Sequence, residues 1–384
     1  MSGKVRLGVI GVGGMGSHHA KYIQGGDVQR CELTAVCDID DSRLANFPDV
    51  KGFTDSRDLI RSGLVDAVLI ATPHYDHTTI GIDALQQGLH VLVEKPISVH
   101  KADCERLIAA HKANDKLAFQ AMFQLRTEPL YRKVKKLIET GELGEITRVN
   151  WIATNWFRTE AYYASGGWRA TWSGEGGGVL MNQCPHNLDM LQWLVGMPTK
   201  IRGFLKFGAK HDIEVEDQAT AYLEYPNGAT GLFITTTGEA PGTDRLEIDG
   251  EQGRLVIENR AIHFTRNEVP MTEFSRTTRS GFSSPDAWEI DIPHGGGAKG
   301  HSVVTQNFID VILDGGDLMA PAVEGINSVE LANCMLYSSL TGSTVDLPLD
   351  GAAFEAALKE LIAKSKFVKK TAQVANTDIQ ASFK

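Results

Sequence analysis

Three observations predict an N-terminal Rossmann doubly wound parallel sheet followed by an α+β domain built on a large open, mostly antiparallel sheet. A glycine-rich turn follows an apolar run near the N-terminus, strand-like and helix-like segments then alternate as far as Phe123, and long strands of alternating polarity come after it. The 384 residues suggest two domains, placed at 1–125 and 126–384. Apolar residues make up 42% of the chain and charged residues 22%, as in a globular protein, and no apolar run is long enough to span a bilayer. The formal charge of -10 opposes polyanions, which argues against a nucleic-acid partner. Five scattered cysteines without a C-x-x-C fit a reduced, cytoplasmic setting and suggest neither a disulfide framework nor a metal site. The chain enters a strand almost at once, so no signal peptide is expected.

Residues Val5 to Ile10 form the first strand, and Gly11-Val12-Gly13-Gly14-Met15-Gly16 leads from it into a helix reaching about Ile23. In G-x-G-x-x-G each glycine has a mechanical reason: Gly11 allows the tight turn, Gly13 lets backbone approach a pyrophosphate, and Gly16 permits close helix–strand packing. The helix N-terminus, with Gly14 and Met15, then offers unpaired N–H groups to the phosphates. Leu33 to Cys37 reads as the second strand and Asp38 ends it, where a carboxylate can accept hydrogen bonds from both ribose hydroxyls and would repel a 2'-phosphate. NAD is therefore expected over NADP, with Ile39 beside the adenosine and Arg43 nearby. Ala67 to Ala71 is assigned as a fourth strand, His77 to Gln87 as a helix, and His90 to Val93 as a fifth strand. Lys101 to Asn114 follows as a helix and Leu117 to Phe123 as a sixth strand. Thr72, Pro73, His74 and His77 leave the fourth strand on the ligand side, and Gln124 lies just past the sixth.

Beyond Phe123 a helix is expected around Glu128 to Thr140. Strands follow at Arg148 to Thr154, Ile201 to Phe207, Gln218 to Tyr225 and Ala229 to Thr236. One face of such a sheet needs helices, and the other is expected to make a homodimer or homotetramer interface. Residues after about Lys364 are polar and basic and read as an arm or loose helix.

Two places carry chemistry. Glu94-Lys95-Pro96 closes the fifth strand and sets an ammonium at a strand's carboxyl end, where it can meet both a nicotinamide and the atom being oxidised. Farther on, Gly176-Gly177-Gly178 precedes a helix that Pro185 starts and Gly196 stops. His186 and Asp189, three residues apart, can share a face of it, so that Asp189 could orient the imidazole.

These residues resemble the Gfo/Idh/MocA family along nearly the whole chain. The resemblance rests on the glycine turn with Asp38, on Ala71-Thr72-Pro73 with His77, and on Gly88-Leu89-His90-Val91 into Glu94-Lys95-Pro96. It continues through the triple glycine to His186 and Asp189, through Val215-Glu216-Asp217-Gln218 and Tyr225-Pro226-Asn227-Gly228, and on to His301 with Asn307-Phe308-Ile309-Asp310. It implies NAD(P)-dependent oxidation or reduction of sugars and cyclic polyols, with Lys95 as the active-site lysine and His186 as general acid/base. Inositol dehydrogenase-like members carry aspartate four residues before that histidine, where this chain has Asn182. An amide can position a hydroxyl but cannot stabilise an imidazolium by charge. The form Asn182-Gln183-Cys184-Pro185-His186 is similar to members that oxidise pyranose sugars, at C3 among other positions.

The expected reaction is oxidation of a secondary hydroxyl of a sugar or cyclic polyol, such as glucose, a glucoside, an anhydrosugar or an inositol. His186 is the base, Lys95 the group that polarises the alcohol, and Asn182 and Asp189 the positioning residues. Trp156, Arg158, Tyr163, Trp168, Arg169 and Arg126 are candidates for holding a hydroxyl-rich ring. Two other classes fit the same motifs: a glycosidase that oxidises C3 transiently and recycles NAD, and a non-catalytic sugar or NAD sensor. Aglycone release without net NADH would mark the first, and retention of the Lys95/His186 pair argues against the second.

Overall fold

The computed structural model of the chain describes residues 3–297 and 299–372. A six-stranded parallel sheet comes first, built from β1 (Val5–Ile10), β2 (Cys31–Cys37), β3 (Lys51–Phe53), β4 (Ala67–Ile70), β5 (His90–Val93) and β6 (Phe119–Ala121) in the order β3-β2-β1-β4-β5-β6. That order reverses between β1 and β4, which creates the crevice where such sheets bind ligands. β1, β4 and β5 are buried almost throughout, because helices cover both faces of the sheet. The short edge strand β3 had no sequence assignment; its three residues, Lys-Gly-Phe, give no period to read. The helix after β4 is His74–Gln86 and begins before His77, since Pro73 already supplies its start.

The second sheet has nine strands. β7 (Ile146–Ala153), β8 (Lys200–Phe207), β9 (Glu216–Glu224), β10 (Thr230–Thr236), β11 (Asp244–Gly250), β12 (Gly253–Glu258), β13 (Ala261–Asn267), β14 (Ala287–Asp291) and β15 (Val345–Asp346) take the order β14-β13-β12-β11-β7-β10-β9-β8-β15. All its pairs are antiparallel except β7 with β10. Helices Pro185–Val195 and Gly325–Thr341 lie on one face, packed so closely that a Cβ on Gly203 of β8 would stand 2.3 Å from the Met335 carbonyl oxygen. The opposite face leaves Phe204, Tyr222 and Leu232 exposed on adjacent strands, with Leu232 of β10 opposite Tyr222 of β9 and Phe204 of β8 diagonal to it, opposite Thr220.

A division at 125/126 separates the two sheets but not the packing. Helix His301–Asp314 returns to the first sheet, where Val304, Phe308 and Ile309 share a core with Val5, Leu7 and Val9. Ala320 and Ala322 likewise pack with β4 to β6. After the last helix, Gly351–Lys364, residues 365–372 run as an extended strap and not as a helix; the remainder of the expected arm lies outside the described residues. Among the described residues, no helix is long and apolar enough to cross a membrane.

Candidate active site

The glycine turn forms a cradle for a dinucleotide. Gly11 has φ +87°, and a Cβ there or on Gly16 would strike the backbone of Ala71 and Thr72 or of Gly11 itself, so both close the turn against the protein. Gly13 differs: a Cβ there would meet nothing nearer than the Arg43 guanidinium at 3.6 Å. Helix Gly14–Gln24 starts without a side-chain cap, which leaves the first N–H groups, Gly14 and Met15 among them, available to an anion. Asp38 is buried at the end of β2. Its Oδ2 accepts the Val12 N–H at 2.9 Å, while Arg43 Nη1 lies 3.2 Å from the same oxygen. Ile39 beside it is 92% exposed, an apolar surface of the kind an adenine covers.

At the carboxyl ends of β4 and β5 the two sheets meet. Lys95 Nζ donates at 2.7 Å to the backbone carbonyl of Asn182, so the ammonium of the first domain is held on the second. Burial lowers the pKa of Lys95, with Glu94 and Glu175 opposing it. Glu94 has its own partners: Oε1 meets His19 Nε2 at 2.7 Å and Oε2 accepts the Lys95 N–H. Burial disfavours the Glu94 carboxylate, yet the His19 contact prevails and holds its pKa well below the usual range. His186, at the start of helix Pro185–Val195, is buried with Nε2 3.2 Å from Gln124 Nε2. Burial, and then Lys95, push its pKa well below 6.5, so the ring is neutral at pH 7.

Four buried polar atoms in this crevice have no partner among the described residues: Thr72 Oγ1, His74 Nδ1, Gln124 Oε1 and His186 Nδ1. Buried polar groups are nearly always satisfied, so a cluster of orphans marks a place for a ligand. With the cradle open at Gly13 and a carboxylate at Asp38, the residues present fit NAD.

Several side chains stand elsewhere than the sequence suggests. Asp189 does not reach His186: its two oxygens take Arg126 Nη2 and Nε at 2.6 and 2.9 Å, and Gln192 adds a third bond. The residues share a helix, but at three positions apart the carboxylate turns toward the stronger, bidentate guanidinium. Arg126 is consumed by that pair and by Glu324, so it braces the domain junction and does not face a sugar. Tyr163 is a core residue, its hydroxyl 2.7 Å from Thr237. His77 spans two loops, with Nδ1 on the Pro96 carbonyl and Nε2 on that of Thr72, and both ring nitrogens are occupied by protein. The triple glycine also packs against protein: a Cβ at 176, 177 or 178 would meet Val99, Met181 or the Glu216 carbonyl at 2.1, 2.5 and 2.0 Å.

Trp156, Arg158, Trp168 and Arg169 remain together around a residue missed in the sequence, Tyr162. Both guanidinium groups lie against its ring, at 5.2 and 4.7 Å, Arg158 also covers Trp156, and Arg169 covers Trp168. Trp156 donates to Asn187, and the Trp168 ring meets His74 edge-on at 5.5 Å. The Tyr162 hydroxyl accepts from Arg169 and donates to Asn182 Oδ1 at 3.0 Å. Asn182 Nδ2 donates to Glu175, a second residue missed in the sequence because one glutamate among glycines reads as surface. Glu175 is buried; burial raises its pKa, and Arg169 opposes the rise. An amide at 182 serves a carboxylate on one side and a hydroxyl on the other. An aspartate there would face Glu175 with like charge.

Comparison with known proteins agrees with this architecture. Residues 5–122 match the family model described as an oxidoreductase family with an NAD-binding Rossmann fold, and residues 131–256 match the GFO/IDH/MocA C-terminal domain. The chain is 33% identical over 355 residues to an inositol 2-dehydrogenase of Salmonella typhimurium, covering 90% of this chain and 97% of that protein. It is 31% identical over 200 residues to the inositol 2-dehydrogenase of Corynebacterium glutamicum (strain R), a match that spans 51% of this chain and only about half, 56%, of that relative. The solved structure of the WlbA dehydrogenase from Bordetella pertussis in complex with NADH and UDP-GlcNAcA superposes with a TM-score of 0.77 at 28% identity, covering 90% of this chain and 98% of that one. A levoglucosan dehydrogenase solved with NADH and L-sorbose shares the fold, with a TM-score of 0.74 at 20% identity over 90% of this chain and 99% of that one. With both domains matched in order and one relative aligned almost end to end, the chain belongs to the GFO/IDH/MocA family of oxidoreductases.

Proposed function

We propose that the chain is an NAD-dependent dehydrogenase that oxidises a secondary hydroxyl of a sugar or cyclic polyol, a pyranose at C3 or an inositol. The observation that carries this reading is the convergence of a half-buried ammonium, Lys95, and a buried neutral imidazole, His186, at the crevice where four polar atoms stand unpartnered among the described residues. Bound NAD supplies a hydride acceptor at its nicotinamide C4. His186 takes the hydroxyl proton at Nε2, the nitrogen that accepts from the Gln124 amide and is unprotonated in the neutral ring, with the alcohol replacing that amide. Lys95 donates to the same oxygen and stabilises its developing negative charge. Asn182 fixes Lys95 through its carbonyl and Tyr162 through its amide oxygen, which sets the distance between the polarising ammonium and the ring-binding wall. His19 and Glu94 hold the start of the Lys95 loop.

The inositol 2-dehydrogenases among the relatives support a polyol substrate. Glu175 beside Asn182 supports retention of a negative charge where inositol dehydrogenase-like members carry it at the aspartate. The exposed stripe Phe204, Tyr222 and Leu232 supports pairing of the open sheet with a second copy. The test is an NADH-absorbance screen over inositols, glucose, glucosides and anhydrosugars, with NMR of the product to locate the carbonyl. Steady NADH growth with at least one of them is the expected result. Tight NAD binding without turnover of any would remove the assignment, and aglycone release without net NADH would replace it with the glycosidase.

A further inference from the structure

The strap at 365–372 follows the last helix onto the wall of the substrate crevice, and no step of the reaction above uses it. Two of its contacts reach the helix Glu160–Ala164, which carries Tyr162. Lys369 Nζ donates to the Tyr163 carbonyl at 2.7 Å, and the Ala372 N–H to the Ala164 carbonyl at 3.0 Å. Lys370 pairs with Asp212 at 2.7 Å, and the Ser365 hydroxyl bonds Glu214, whose other oxygen accepts the Trp172 N–H. Residues 365–372 are thus fastened at two points to the segment that presents the ring-binding side chains and at two more to Asp212 and Glu214.

We propose that this strap is part of the substrate site, adding Lys369 to Arg158 and Arg169 so that the site takes a sugar bearing an anionic group, a carboxylate or a phosphate. The inference rests on the dehydrogenase reading and narrows its substrate class. Arg158 and Arg169 flank Tyr162, and Lys369 holds the carbonyl of the next residue, which puts three cations on one wall. Lys95 adds a fourth at the reacting end. The carboxylates near them have partners of their own: Glu94 has His19, Glu175 has Asn182 and the Ala170 N–H, Glu160 has the Asp212 N–H, and Asp212 has Lys370. Burial lowers the pKa of Lys369; Glu175 opposes, Arg169 lowers it further, and Glu160 and Asp212 raise it, while Arg169 and Arg158 act in the downward direction on Lys95. These groups sense one another, and a bound anion would relieve their mutual repulsion. A neutral polyol leaves that repulsion in place.

The experiment compares glucose, glucuronate and glucose 6-phosphate as substrates of the full chain with NAD, at low and high salt. We expect kcat/KM for one of the two acids to exceed that for glucose by roughly tenfold or more, an advantage that shrinks as salt is added. Carboxylate and phosphate are told apart by which acid shows it. Lys369→Gln should raise KM for that acid about tenfold relative to its effect on glucose, the size of one charge-assisted contact, and Lys369→Arg should restore it. Lys364→Gln, just before the strap, is the control and should leave all KM values as they are. Oxidation of glucose or an inositol with no preference for either acid would overturn the inference and leave the dehydrogenase reading standing. Equal effects of Lys369→Gln on neutral and acidic substrates would reduce the strap to scaffolding and overturn it as well. Absence of NADH from every sugar and polyol would overturn both.

Discussion

Two glycine runs, 11–16 and 176–178, look alike in the sequence and do different work in the fold. In the first, Gly11 and Gly16 press against the chain's own backbone so that Gly13 can stand open, its virtual Cβ 3.6 Å from the nearest side chain. In the second, all three positions press against protein, on Val99, Met181 and Glu216. The open glycine points to a ligand and the crowded ones to packing, Gly176 at the interdomain seam and Gly177 and Gly178 within the second domain. What the second run does for chemistry is indirect: it lets the short helix Val179–Asn182 sit against Lys95 and deliver His186. Glycine content therefore locates a close approach, and only the identity of the approaching atoms separates ligand from packing.

The largest effect expected from sharpening that contrast lies just downstream of the crowded run. His186→Ala should lower kcat/KM by about 10²–10⁴, with NADH affinity by fluorescence titration unchanged. Full activity in that variant would mean that the seam delivers no base. Asn182→Asp should cost roughly tenfold or more in kcat by setting a carboxylate against Glu175. Adding Glu175→Gln should recover much of the loss, and additive effects in the double-mutant cycle would sink the account of Asn182. Gly178→Ala should destabilise by about 1–3 kcal/mol in urea unfolding, since its Cβ would stand 2.0 Å from a carbonyl oxygen. Gly13→Ala should leave stability within about 0.5 kcal/mol and weaken NAD roughly tenfold; the reverse pattern in these two variants would erase the distinction.

The smallest effect is on pH. His186 must be neutral to act, so kcat/KM should fall as pH drops through its pKa, which lies below the ordinary 6.5. Lys95 must be charged, so a second fall is expected as pH rises through a pKa below 10.5. A single limb at 6.5 or above would show that the imidazole is not buried during turnover.

The doubly wound half was legible because each constraint there is local. The glycine turn, Asp38 and His90–Val93 sit within one strand-and-helix unit, and helix Pro185–Val195 was bounded by its own proline and glycine. What escaped depends on partners far along the chain. Asp189 was read with its neighbour His186, and only the return of Arg126 from 63 residues away decides its orientation. His19 and Glu94 are 75 residues apart, and neither carries a mark of the other. Tyr162 and Glu175 look like an ordinary aromatic and an ordinary surface acid until Asn182 stands between them. Helix His301–Asp314 joins the first core because its apolar face matches β1, a match that chain position hides.

The bond from Lys95 Nζ to the Asn182 carbonyl ties proton chemistry to mechanics. The same ammonium that would polarise an alcohol is one of the fastenings between the two halves of the molecule, and its three hydrogens let it serve both at once. An alcohol oxygen arriving in the crevice would take a second of the donor's hydrogens while the peptide oxygen of Asn182 keeps the first. A substrate held in this way would be anchored to both halves through one nitrogen, so the placing of the reacting oxygen depends on the packing of the two halves as much as on the site's own side chains.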